Sequence, residues 1–165
     1  MKSKNKFMAT FMSILLVGVL WFPTGIVSHA EEISPAGYHE YTTTEDEAID
    51  HWYGIARGTY LKEGISTITR AGTAKVSVSG TTTAHSKCTE VKVGVYLDES
   101  SDGGSHFGTI GSYYFSESQT SSCHGSETNI SVTKDWYYLA RGVHSVTQGS
   151  TTETTDTRTK AIKAY

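Results

Sequence analysis

An all-β domain, an antiparallel β-sandwich of about eight short strands, is the fold class this sequence predicts. Three observations carry it. Apolar and polar residues alternate in Val76-x-Val78, in Val91-x-Val93-x-Val95-x-Leu97 and in Ile130-x-Val132, the period of a half-buried strand. Turn residues recur at a spacing of roughly ten. No stretch sustains the helical period of about 3.6.

The chain opens with Lys2, Lys4 and Lys6, followed by an apolar run from Phe7 to Phe22 and the small residues Ser28-His29-Ala30. That order is the pattern of a secretory signal peptide, residues 1–30, cleaved after Ala30. A membrane anchor is the alternative, but a span normally needs about 20 apolar residues. No cysteine follows the expected cleavage site, which argues against lipidation. The expected product is secreted and extracellular, with no stable membrane anchor after processing.

Residues 31–51 hold seven acids and neither Lys nor Arg, which reads as an acidic flexible leader. Thr44-Glu45-Asp46-Glu47 fits a capping box, so one helical turn is expected there. The β domain is expected over residues 52–165. Loss of three lysines and no acid takes the formal charge from −3 to −6, unsuited to nucleic acid, whose phosphates require a positive stripe. Ser and Thr make up 39 of the 135 residues after Ala30. Threonine fits exposed strand positions, and enrichment without proline favours a polar-faced β protein over a mucin-like stalk.

Strands are expected over residues 52–61, 65–70, 75–82, 91–97, 107–115, 129–132, 136–146 and 158–164. In the third, Val76 and Val78 face inward; in the next, Val91, Val93, Val95 and Leu97 do, with Lys92, Gly94 and Tyr96 opposite. Residues 98–104 and Gln148-Gly149-Ser150 are turns. The strand from Trp136 presents Trp136, Tyr138, Ala140, Gly142, His144 and Val146 on one face, and Tyr137, Leu139, Arg141, Val143 and Ser145 on the other. The apolar face must cover a second layer. Ile130-x-Val132, a turn and Trp136-x-Tyr138 resemble the E–F corner of immunoglobulin-like Greek keys.

Cys88 and Cys123 are the two cysteines. An even count in an oxidising compartment argues for one disulfide, worth about 3–4 kcal/mol by loop entropy. Zinc is the alternative: His85, Cys88, Cys123 and His124 supply two imidazoles and two thiolates. Adjacent Cys123 and His124 make that awkward, because successive strand side chains point to opposite faces. Asp98, Ser100 and Asp102, followed by Gly103, match the opening of a calcium loop. Its twelfth position is Thr109 rather than a bidentate glutamate, and Asp102-Gly103 is a strong hairpin turn.

Nothing in the chain matches a nucleophile elbow, a phosphate-cradling glycine loop or a His-Glu-x-x-His zinc site. Glu99, Asp102 and Glu117 are the carboxylates available for glycosidase chemistry, whose separation sequence does not supply. A non-catalytic protein without cofactor is the expectation. The aromatic clusters are the better functional lead. Tyr113, Tyr114, Tyr137 and Tyr138 place rings on both faces of their strands, and an outward tyrosine is a low-entropy binding platform. The bland reading is cross-strand packing against threonines.

Ala56-Arg57-Gly58-x-Tyr60-Leu61-x-x-Gly64, Val76-x-Val78-x-Gly80-x-Thr82, Val91-x-Val93-x-Val95-Tyr96-Leu97 and Tyr137-Tyr138-x-x-Arg141-Gly142-x-His144-Ser145-Val146 resemble a family of small secreted proteins of unknown function from Gram-positive bacteria. The resemblance implies export and a single small β domain, and it carries no catalytic residues. The expected function is an extracellular binding or interaction module for a cell-wall or glycan surface. A small membrane-active toxin or bacteriocin-like protein is the second reading, and a hydrolase without recognisable motif the third.

Overall fold

The computed structural model describes residues 41–54 and 59–165. The expected signal peptide, its cleavage after Ala30, the first ten residues of the acidic segment and the Ala56-Arg57-Gly58 motif lie outside the described residues. Eight strands and no helix are present among the described residues. They are β1 (Thr42–Thr43), β2 (Glu47–Tyr53), β3 (Leu61–Gly72), β4 (Lys75–Ser100), β5 (Gly108–Ser131), β6 (Tyr137–Gln148), β7 (Thr151–Arg158) and β8 (Ala161–Lys163).

The all-β class is as expected, but the strands join one sheet instead of two. Its order is β1-β8-β6-β4-β3-β2, with β5 on β4 and β7 on β6. All pairings are antiparallel except β1 with β8. The reason lies in β4 and β5. The expected strands at 75–82 and 91–97 are two halves of the 26-residue β4, and those at 107–115 and 129–132 are the ends of the 24-residue β5. The polar residues between them lack apolar alternation, yet threonine and serine suit an exposed strand.

Register shifts break the β4–β5 ladder, the widest between Thr83 and Cys88. Bulges of this kind bend strands and let them turn a corner between layers. The first half of β4 pairs with β3 and the second half with β6. The bend brings each long strand back over itself. A Cβ on Gly80 would lie 2.6 Å from Val93 and 2.8 Å from Val95, and one on Gly125 would enter the Phe115 ring. Only glycine permits backbone to approach a side chain so closely.

Inside the bend lie Ile68, Val76, Val78, Val91, Val93, Val95, Leu97, Tyr138, Ala140 and Val146, all essentially inaccessible to solvent. The inward faces of residues 91–97 and of the strand carrying Tyr138 are therefore as the alternation predicts. The Tyr138 hydroxyl accepts from the Thr133 amide at 2.8 Å and donates to the Thr133 carbonyl at 3.1 Å, pinning the β5–β6 turn.

The sheet comes close to closing on itself where β3 and β2 approach β7, and side chains bridge this seam. Ser66 and Thr157 hydroxyls meet at 2.6 Å. The Glu153 carboxylate accepts from the amides of Thr59, Tyr60 and Leu61 at 3.0, 3.0 and 2.7 Å. Asp50 accepts from the Arg158 amide at 2.7 Å.

Two expectations near the start are corrected. The capping-box segment forms no helical turn: Glu47 begins β2, whose residues 47–53 pair with β3 throughout. Within the segment expected to be a flexible leader, Thr42–Thr43 and the first part of β2 are strands. Cross-strand partners supply hydrogen bonds that the local signal could not register.

Candidate functional site

Alternation along β4 buries Val91, Val93, Val95 and Leu97 and turns Lys92, Gly94 and Tyr96 outward. Cross-strand register then arrays the outer face. Lys92 lies between Ser116 of β5 and Ser145 of β6, Gly94 between Tyr114 and Val143, and Tyr96 between Ser112 and Arg141. Direct partners share a face, so these nine residues form three rows across three strands.

A cleft of about 380 Å³ opens on this face, with Gly94 as its floor and Tyr96 and Tyr114 at its side. Its lining is mostly apolar, from Val143, Phe115 and the two tyrosine rings. The rings meet edge to face with centroids 5.8 Å apart, and their hydroxyls are 3.1 Å apart. A Cβ on Gly94 would touch both rings at 3.4–3.5 Å, so any side chain there would occupy the space the rings border. Tyr114 is 70% exposed. The Tyr114 hydroxyl bond, with burial second, holds the Tyr96 phenol above its usual pKa.

Charged networks fix both ends. At one end Lys92 pairs with Glu90 at 2.7 Å and Ser116 donates to Glu90 at 2.9 Å. At the other the Arg141 guanidinium stacks over Tyr96 at 4.6 Å and holds Asp98 through Nε at 3.1 Å and Nη2 at 3.4 Å. A fork of this kind also orients its ring partner. The Asp98 bond is the first cause that raises the Arg141 pKa.

This geometry separates the four tyrosines from which a binding face was expected. Tyr114 lines the cleft, Tyr113 packs against the core, Tyr138 is fully buried, and Tyr137 lies at a different cleft beside Lys163. Burial raises the Tyr113 and Tyr138 pKa values. Tyr96, Gly94 and Arg141 were not singled out from sequence as site residues. Their signal was present in Lys92-x-Gly94-x-Tyr96, the outward complement of the valine alternation.

Cys88 and Cys123 are free thiols, each 1% exposed, so the expected disulfide is corrected. Cys88 lies opposite Thr120 and Cys123 opposite Thr82, and neither is the other's cross-strand partner. A disulfide demands adjacent Cα positions. The zinc alternative fails too: Cys123 points inward while His124 is exposed and bonds Thr81 at 2.9 Å. Among the described residues no three His, Cys, Asp or Glu side chains are gathered as a metal site.

The carboxylates of the calcium candidate are already engaged. Asp98 holds Arg141 and accepts from Thr109 at 2.6 Å. Asp102 accepts from Ser100, from the amides of Ser105 and His106, and meets the His106 ring at 2.5 Å. The Ser100 bond, first among these, holds the Asp102 carboxyl well below the usual range. Residues 101–107 thus form a hairpin connection between β4 and β5, closed by its own acid Asp102.

The fold and the cleft define an all-β protein built on one bent, mixed sheet with an aromatic-flanked recess on its outer face. Residues 26–162 match the family of unknown function DUF6147, and the chain belongs to that family. Comparison with curated proteins finds no match.

Proposed function

We propose that this protein is an exported, non-catalytic binding module of a Gram-positive bacterium, and that it docks on saccharide in the cell wall. The observation that carries the reading is the recess floored by Gly94 and flanked by Tyr96 and Tyr114. A flat apolar ring face suits the C–H face of a sugar, and tyrosine hydroxyls beside it bond to sugar hydroxyls. Lys92, Ser116 and Ser145 add polar groups at the margin. Export is supported by Lys2, Lys4 and Lys6, the apolar run after them and the small residues ending at Ala30.

Co-sedimentation of residues 31–165 with purified Gram-positive cell wall tests the proposal. Saturable pelleting is expected, weakened at least about tenfold by Tyr114→Ala, a change of roughly 1.4 kcal/mol. Protein that stays in the supernatant at every wall concentration refutes it. Dye release from liposomes would instead favour a membrane-active protein.

A further inference from the structure

The row that contains Tyr96 continues beyond the cleft. Arg141 is the cross-strand partner of Tyr96, and Arg158 of β7 is the partner of Arg141. Arg158 therefore lies on the same outer face as Tyr96, two strands away, or roughly 10 Å.

The two arginines are in different states. Arg141 is neutralised by Asp98. The Arg158 guanidinium rests on the rings of Phe107 at 5.3 Å and Tyr41 at 5.8 Å, with no carboxylate against it among the described residues. Asp50 reaches residue 158 only at its backbone amide. Ring contact holds a guanidinium without cancelling its charge, and its in-plane N–H groups stay available for a planar or tetrahedral oxyanion. A polar recess of about 210 Å³ opens there, lined by Arg158, Ser105, Gly104 and the two rings.

On the other side of β1 a second polar recess, of about 290 Å³, is lined by Lys160, Lys163 and the hydroxyl-bearing Thr42, Thr43 and Thr44. Thus three cationic side chains within six residues of sequence border two polar recesses, in a chain of net charge −3. Acids temper this charge among the described residues: Asp135 meets Lys163 at 3.2 Å, and Asp156 stands one row from Arg158 on the same face.

We propose that Arg158 and Lys163 form an oxyanion-binding groove, so that the polymer this protein takes is a glycan carrying phosphate or carboxylate groups. The glycan part rests on the saccharide reading of the Tyr96–Tyr114 cleft, and the anion part does not. The cleft takes a sugar ring while the groove takes the negative groups that follow along the chain. Attraction at this exposed site weakens as salt rises.

Affinity electrophoresis of the folded protein in gels containing long-chain polyphosphate, polygalacturonate or neutral dextran tests it. Retardation by polyphosphate or polygalacturonate is expected, and which of them is the stronger tells phosphate from carboxylate. Arg158→Gln with Lys163→Gln should weaken it about tenfold or more, and Arg158→Lys should restore part. Lys75→Gln with Lys134→Gln removes equal charge elsewhere and should have little effect. Retardation by neither anionic polymer, or equal loss in both double variants, overturns the groove. Circular dichroism and an unchanged melting temperature confirm that each variant is folded. Tyr114→Ala separates the two readings. If it leaves polyphosphate binding intact and changes no saccharide binding, the groove stands and the saccharide reading fails. If dextran and wall binding persist in the Arg158 variant without any anion preference, the groove fails and the cleft stands.

Discussion

Thr157 donates its hydroxyl to Nε2 of His144 across 2.8 Å in the centre of the molecule. The direction follows from the other side of the ring. Thr82 lies 2.8 Å from Nδ1 and gives its only hydroxyl proton to the Lys92 carbonyl at 2.8 Å. It must accept from Nδ1–H, so Nε2 holds the lone pair. Ser66 then donates to Thr157 at 2.6 Å. One directed chain from Ser66 to Lys92 joins β3, β7, β6 and β4, and it requires a neutral imidazole. Gly64 and Gly142 make room for the ring: a Cβ on either would lie 2.6 Å from a ring atom.

Acid should weaken the fold through this residue. Burial, the leading cause, lowers the His144 pKa from 6.5 to about 4, while Asp156 and Asp50 pull it upward. The unfolded chain therefore binds the proton more readily. Stability is full above pH 6.5 and falls as the pH drops toward 4, by about 3 kcal/mol. Urea midpoints between pH 7.5 and 4 should show this slope, and His144→Gln should flatten it even though it lowers the midpoint throughout. A slope unchanged in the variant would assign the effect elsewhere.

Glu153 supplies the tie at the seam beside it. Its bonds from the amides of Leu61, Tyr60 and Thr59 hold its carboxyl below the ordinary pKa, the Leu61 amide first. This contribution is present above the unfolded pKa of about 4.5 and is lost as pH falls through the depressed folded value. Glu153→Gln should speed hydrogen exchange of the Leu61 amide by roughly tenfold at neutral pH, a local opening of the seam. Unaltered exchange there would show that β3 is held without it.

Cys88 and Cys123 should both titrate as thiols. Burial is the first cause that raises each pKa, with Glu153 and Glu117 adding to it respectively, so the thiolate is scarce and shielded. A thiol reagent should react slowly with the native protein and rapidly in denaturant with both cysteines. A mass two units below the reduced value would establish the bridge that the cross-strand register opposes.

Alanine at Gly80 forces a methyl against Val93 and Val95. Overpacking of this order costs about 1–3 kcal/mol. Gly125→Ala, which drives into the Phe115 ring, should cost at least as much. Thermal melts would compare them with Gly149→Ala, whose added Cβ meets nothing but whose φ of +60° carries its own strain. If Gly80→Ala melts like wild type, the two halves of β4 do not pack together in solution.

Sequence alone determined which side is buried in the strands that carry Val76 to Val78, Val91 to Leu97 and Tyr138 to Val146. The alternation of Val91, Val93, Val95 and Leu97, and of Tyr138, Ala140, His144 and Val146, is local, because successive side chains must point to opposite faces. It determined the all-β class for the same reason. Tertiary structure decided everything that depends on which strands meet. Thr83 and Cys88 hold a bend whose glycine contacts, Gly80 on Val93 and Gly125 with Phe115, join residues far apart in the chain. The same bend keeps Cys88 and Cys123 apart, gives Asp98 to Arg141 instead of a cation, and draws Tyr96 and Tyr114 together while sending Tyr113 inward. Register across strands is set by long-range hydrogen bonding and packing, which no local pattern contains.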